Sequence, residues 1–382
     1  MRVCVWLLTG LLLGGAARAE GWRDRFLDPE DGQFDASSYL LDHRGVLPVP
    51  IVITEPAVGY GGGVALTWFS ESIRDAAEKA QTTGHRLTPP DIYLLALFGT
   101  ENGTKGAGAG GRISFLDDNL RYRGGIADIS VNLDFYGVGG SFATGSIDKL
   151  GYNLAGFATA HELTRRLGSS DHWAGVRWVY MSLKTKLDFG TAEDAGLTPR
   201  ELSKKSSALG LTYVYDSRDN IFTTKRGLQA SLDALFYSPD FGSDTSFRTY
   251  RAHAFGYVPV EDRFTLALRA DGRTARGEVP FYQLPFIDRR GVPAARYQDE
   301  NTAVSEIEGR FYVTPRWIAI AFVGGARAWG RKTSFDDEGT IVSKGVGFRY
   351  MLARRMGLSV GIDVARGPEK TAWYISVGNA WR

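Results

Sequence analysis

The chain reads as an all-β protein, a transmembrane antiparallel β-barrel of about sixteen strands. Three observations lead there. Apolar and polar residues alternate with a period of two in many segments of about ten residues, as strands with one face in lipid and one in water require. Glycine supplies 47 of 382 residues, roughly 12% against a usual ~7%, and aromatic residues another 12%. The one cysteine, Cys4, sits in a segment with the form of a secretory signal.

That signal is MRVCVWLLTGLLLGGAARAE. A basic residue, an apolar stretch from Val3 to about Gly15, and the triplet Ala17-Arg18-Ala19 place cleavage near Ala19, so residues 1–19 are expected to be removed. The remainder then carries no thiol, which excludes disulfides, thiolate metal sites and cysteine nucleophiles. Residues 20–46, with Trp22, Phe26 and Phe34, form a short periplasmic leader read either as a docking or plugging segment or as disordered chain. The barrel occupies 47–382. A formal charge of +2 gives no electrostatic case for nucleic acid. No later stretch approaches the ~18 consecutive apolar residues of a membrane helix.

The alternation is explicit in several places. In 127–135, Ala127, Ile129, Val131, Leu133 and Phe135 share one face, and Asp128, Ser130, Asn132 and Asp134 the other. In 228–236, Leu228, Ala230, Leu232, Ala234 and Phe236 oppose Gln229, Ser231 and Asp233. Segments 264–271 and 356–364 repeat the pattern. About sixteen segments, from 50–54 to 371–381, can be drawn, the even number that closed single-chain barrels favour. Long loops are expected at 71–89, 189–204 and 276–302. The last segment, AWYISVGNAWR, places Trp373, Ile375, Val377 and Trp381 on one face, with Asn379 the exception. Pairing it with the first strand removes an exposed apolar edge.

Segment 303–313 carries the most charge. Glu306, Glu308 and Arg310 alternate with Ile307, Gly309 and Phe311, so the charged face is expected to line the lumen and the apolar face to meet lipid. The five histidines, His43, His85, His161, His172 and His253, have no metal-ligand spacing. GYGGGV at 59–64 does not open a helix after a buried strand. No catalytic residues, no metal and no cofactor are expected, and the chain is not read as an enzyme.

Three stretches resemble the BamA/TamA (bacterial surface antigen) superfamily of outer-membrane barrels. RRGVPAARYQDENTAVSEIEGRF, 289–311, is similar to its sixth-loop motif and following strand. YDSRDNIFTTKRG, 215–227, is similar to a recurrent hairpin, with Thr224 near a position often held by proline. LPVPIVITEPAVGYGGGVALTWF, 47–69, resembles the opening strands of short members without POTRA modules, for which residues 20–47 leave no room. The resemblance implies an outer-membrane location, a long loop folded into the lumen, and a role in inserting or moving proteins or lipids through a gated lumen or a lateral seam. A passive porin-like channel for small solutes is the alternative.

The implied loop motif is Arg290, Gly291, Arg296 and Tyr297, and its partners in the lumen are Glu306, Glu308, Arg310 and Asp363. Arg290 is the first choice for the pinning arginine because Gly291 permits a sharp turn beside it, with Arg289 and Arg296 as rivals. One departure bears on the pin. The family's aspartate on the next strand falls at Gly324, in Phe322-Val323-Gly324-Gly325-Ala326, so the arginine's partner must come from elsewhere. The seam is read at Pro48 and Pro50 against Trp373, Val377 and Trp381, since prolines donate no ladder bonds; the prolines are equally readable as a loop before the true first strand. Implied partners are outer-membrane lipids, the barrel-assembly machinery through the C-terminal strand, and a separate periplasmic protein.

Overall fold

The computed structural model of the chain describes residues 25–83, 88–137, 149–188, 201–330, 334–336 and 339–381. The expected signal, 1–19, and most of the expected loop 189–204 lie outside them. Sixteen antiparallel strands form one sheet in sequential order, nearly closed into a barrel. They are β1 (Gly45–Ile53), β2 (Gly61–Phe69), β3 (Ile92–Thr100) and β4 (Lys105–Phe115). Then come β5 (Leu120–Phe135), β6 (Leu150–Arg166), β7 (His172–Asp188) and β8 (Glu201–Asp216). The third group is β9 (Gly227–Tyr237), β10 (Phe247–Glu261), β11 (Phe264–Gly277) and β12 (Asn301–Tyr312). The last is β13 (Trp317–Trp329), β14 (Ile341–Ala353), β15 (Leu358–Arg366) and β16 (Thr371–Val377). The segments before β1 and after β16 lie at one end of the cylinder with most of the short turns, here the turn end; 278–300 enters from the other, the loop end.

Alternation sets what each face meets. On β9, Leu228, Leu232 and Phe236 point outward and are exposed, while Ser231 is buried inside. On β12, Ile307 and Phe311 are exposed outside, and Glu306, Glu308 and Arg310 are buried inside. Segment 127–135 does the reverse. Ile126 is exposed outside, so Ala127, Ile129, Val131, Leu133 and Phe135 face inward. Phe135 and Tyr152 each lie 5.0 Å, ring to ring, from Phe281 of the inner loop. The outer residues there, Ser130, Asn132 and Asn153, hydrogen-bond one another. The reason is length. Strands β5–β8 run 16 or 17 residues, beyond the ~9–11 that span a membrane, so their loop-end halves stand in water outside and pack a loop inside.

Two expected loops hold helices. The first, α1 (Ser37–Asp42), lies in the leader, and the second, α2 (Ile73–Thr83), lies within 71–89; Arg74 of α2 pairs with Asp42 of α1. The described part of the leader, residues 25–44, is held against the barrel. Arg316, in the turn between β12 and β13, bonds Asp28 at 2.6 Å, Asp31 at 2.5 Å and Asp35 at 2.9 Å. Tyr350 donates its hydroxyl to the Phe34 carbonyl, and the Arg355 amide donates to Ser37. The leader is thus fastened beneath β13–β15 and continues into β1. It passes under the edges of β16 and β1.

The β1–β16 seam is not a ladder. Among the described residues β1 pairs only with β2, and β16 only with β15. Pro48 and Pro50 do lie within a strand, not in a preceding loop. Having the same parity, their nitrogens face one edge, and the unbroken register with β2 puts that edge on the open side. Trp381 does not lie on the expected face of β16. The strand stops at Val377, Gly378 takes φ +70°, and the chain turns into the lumen.

Arg316 holds Asp31 below the usual carboxylate range by hydrogen bonding. Burial raises Asp35, but bonds from Ser37, the Arg354 amide and Arg316 outweigh it and lower it. Carboxylates with lowered folded values stabilise above their unfolded value and lose that contribution as pH falls through the folded one. Residues 27–42 are therefore expected to resist protease from pH 7 to about pH 5 and to be released well below about pH 3.9. Arg316→Ala releases them at pH 7 while the barrel keeps its heat-modifiable gel mobility. Protection unaffected by that substitution would contradict the clasp.

Candidate functional site

Segment 278–300, between β11 and β12, crosses the lumen from wall to wall. Near its start Gln283 donates to Ser206 on the inner face of β8 at 2.8 Å. Farther on, Ile287 and Val292 are buried with Val304, Ala326 and Ala328 of β12 and β13, and Tyr297 packs against them. An apolar contact thus docks the loop, and a charged one sets its position.

The charged contact centres on Arg290. Its Nη2 donates to Glu308 at 2.7 Å and to Glu306, and its Nη1 donates to Asp363 at 2.9 Å. The guanidinium carbon sits 3.5 Å from the Phe322 ring centroid. Glu306, Glu308 and Asp363 are all fully buried, and each has a second donor. Arg349 forks onto Asp363 at 2.7 and 2.9 Å, Arg310 holds Glu308 at 2.8 Å, and the Trp381 indole donates to Glu306 at 2.8 Å. Buried carboxylates persist as charges only when paired and hydrogen-bonded in this way.

Backbone fixes the arginine's approach. Gly291 adopts φ +87°, and its amide donates to the Tyr374 hydroxyl at 2.9 Å. A Cβ there would meet the Gly367 nitrogen at 3.0 Å and the Ser343 Cβ at 3.2 Å. Ser343 in turn donates to the Arg290 carbonyl at 2.6 Å. Gly324 has a separate part. A side chain at that position would collide with Arg289, whose Nη2 lies 2.7 Å from the place of a Cβ. Arg289 therefore fills the space where the family aspartate was expected, and Asp363, two strands along, faces Arg290 instead.

The expected residues divide. Arg290, Gly291, Glu306, Glu308, Arg310 and Asp363 come together, whereas Arg296 and Tyr297 do not join them. Arg296 pairs with Glu369, in the β15–β16 turn, and Tyr297 donates to the same carboxylate at 3.1 Å. Trp373 and Val377 are exposed at the outer face of β16, and Trp373 reaches the β1–β2 loop, donating to the Tyr60 hydroxyl at 2.9 Å. Trp381 belongs to the lumen cluster. Sequence reasoning missed Arg349, Tyr374 and Phe322. Alternation along Lys344–Met351 could have placed Arg349 inside, but nothing in the sequence marks the inward turn that brings Trp381 to Glu306.

Arg290→Ala strips three buried carboxylates of a shared cation, a loss of about 3–5 kcal/mol for a broken buried pair. Protease cleavage within 278–300 is expected to accelerate strongly, while Arg290→Lys, which keeps charge without the fork, falls between. Unchanged cleavage in Arg290→Ala would sink the pin. Trp381→Phe keeps the ring but removes one donor from Glu306, about 1.5–3 kcal/mol for a bond to a charged group, and should loosen the loop to a smaller degree in the same assay.

The barrel is similar to known proteins. Residues 110–289 match the Omp85 superfamily domain. A BamA structure from Haemophilus ducreyi, lacking POTRA domains 1–3, is similar over 95% of this chain and 82% of its own, with a TM-score of 0.57 and 12% identity. CdiB from Escherichia coli is similar over 87% of this chain and 62% of its own (TM-score 0.54, 12% identity). CdiB from Acinetobacter baumannii is similar over 87% and 58% (TM-score 0.55, 13% identity). No curated protein sequence matches. The likeness to these structures is one of fold, a BamA-like β-barrel, and the match to the Omp85 superfamily domain covers residues 110–289.

Proposed function

We propose that this Omp85-type barrel assists the insertion or translocation of proteins or lipids, using the β1–β16 seam as its route and the pinned loop as its gate. The observation that carries the reading is the pairing of a plugged lumen with an open wall. Segment 278–300 is bonded across the interior, whereas the edges of β1 and β16 have no ladder between them. Backbone groups at an unpaired edge cannot rest in hydrocarbon, where each costs several kcal/mol. Such an edge favours pairing with an incoming strand or exposure to hydrated headgroups.

The turn end faces the periplasm in this reading, and residues 20–46 form a periplasmic leader. The clasp at Arg316 then lies where a separate periplasmic protein could compete for Asp28, Asp31 and Asp35. The tail beyond Val377, held by Trp381, would be released to extend β16 when the gate opens.

A tether tests the route. Cysteines replacing Val52 and Trp373, both near the loop end of their strands, are bridged by a flexible bis-maleimide in the folded protein. In liposomes the untethered protein should speed the folding of a denatured client barrel, and the tether should remove at least about tenfold of that rate, or 1.4 kcal/mol of barrier. Planar-bilayer conductance should be small and flickering. A large steady conductance, with folding indifferent to the tether, would instead make the chain a passive porin.

A further inference from the structure

At the turn end of the lumen, β4 to β7 bring together more cations than their carboxylates occupy. Arg112 pairs in register with Arg123, Arg123 with Glu162, and Arg121 with Thr164. Paired residues share a face, and Glu162, bridged to Arg123 and Arg177, marks that face as the inner one. Arg166 at the foot of β6 pairs with Trp173, which is buried inside.

The anions here are already taken. Asp118 accepts both nitrogens of Arg121, at 2.7 and 2.5 Å, and also the Ser114 hydroxyl. Glu162 holds Arg123 at 2.8 Å and Arg177 at 3.7 Å. Asp91 accepts the Ser114 amide at 3.0 Å. Arg112 and Arg166 have no carboxylate partner among the described residues. Arg166 is only 6% exposed, and its Nε and Nη1 are buried without a hydrogen-bond partner. Its guanidinium carbon lies 4.6 Å from the Trp173 ring centroid, and that of Arg121 lies 3.8 Å from the same ring. The ring face attracts both cations, but it accepts nothing from N–H groups in the guanidinium plane. It also gathers two like charges.

We propose that this corner of the lumen is a binding site for a phosphate-class oxyanion, held by Arg166 and Arg112 with Arg121 at its margin. An arginine fork matches such an anion in geometry and charge. A tetrahedral oxyanion offers enough acceptors for two or three guanidinium groups at once. Solvent reaches the margin of this corner, since the Arg121 side chain is 30% exposed and that of Arg123 60%. The anion arrives as free phosphate or as a phospholipid headgroup entering from the turn end. The site is separate from the loop pin and does not depend on the seam being a route.

Two titrations of the full chain, folded in a neutral detergent, test this at constant ionic strength. One follows inorganic phosphate against chloride by calorimetry; the other follows a short-chain phosphatidylglycerol in the same micelles. Saturable binding that weakens at least about tenfold, or 1.4 kcal/mol, in Arg166→Gln is expected. Binding in the lipid arm alone assigns the headgroup, and binding in both assigns the phosphate moiety itself. Absence of saturable binding in both arms overturns the site, as does equal affinity in Arg166→Gln. If Arg166→Gln fails to show heat-modifiable folding, Arg112→Gln decides by the same criterion.

Discussion

The structure turns on burying three carboxylates together and then meeting their demand for cations. Glu306 and Glu308 of β12 and Asp363 of β15 all face inward with no access to water. Left alone they would repel one another. Arg349 and Arg310, supplied by the barrel wall, satisfy part of that demand. The remainder falls to Arg290, which arrives on a loop. A wall so charged is complete only when the loop is inside, so the charges hold the loop there. The apolar seat around Ile287 and Val292 stabilises the same state, so packing and charge agree.

The outer surface obeys a different constraint. Where a strand lies within the membrane its apolar residues point out, as in β9 and β12. Where β5–β8 rise beyond it, the same alternating sequence points its apolar residues in. The periodicity is unchanged, and only its phase relative to the wall differs. One geometry therefore gives a lipid-facing belt and, above it, a lined cup in which Phe281 packs against Phe135 and Tyr152.

Much of the barrel was legible for this reason. Period two and even strand number follow from local sequence, and the inner charges of β12 are explicit in Glu306-Ile307-Glu308-Gly309-Arg310. Phase was not legible in 127–135, because alternation says which residues share a face but not which face is wet. The sequence offered Asp363 as a partner of the loop arginine, but not the choice of Arg290 over Arg289 to face it. That choice depends on Arg289 occupying the room above Gly324, a contact between distant segments. The expectation for Trp381 failed at one residue: Gly378 permits a backbone turn that alternation counting does not register. The leader was legible by its aromatic residues, but its docking depends on Arg316, which lies about 280 positions away in sequence.

Those last two features meet at the seam. The tail beyond Val377 leaves the end of β16 by turning inward, where Trp381 bonds the same Glu306 that receives Arg290. The leader, joined to β1, is fastened by Arg316 to turns on the opposite side of the gap. One edge is thus tied to the lumen cluster and the other to the floor of β13–β15. Restoring a full β16 by swinging the tail outward removes a donor from Glu306 and increases its reliance on Arg290. Withdrawing Arg290 instead leaves Trp381 as that oxygen's remaining close donor among the described residues. Tail and loop therefore compensate one another at a single carboxylate oxygen, and displacing both together costs more than displacing either. The chain's tail and the inner loop are thus coupled through Glu306, whose one oxygen accepts from both.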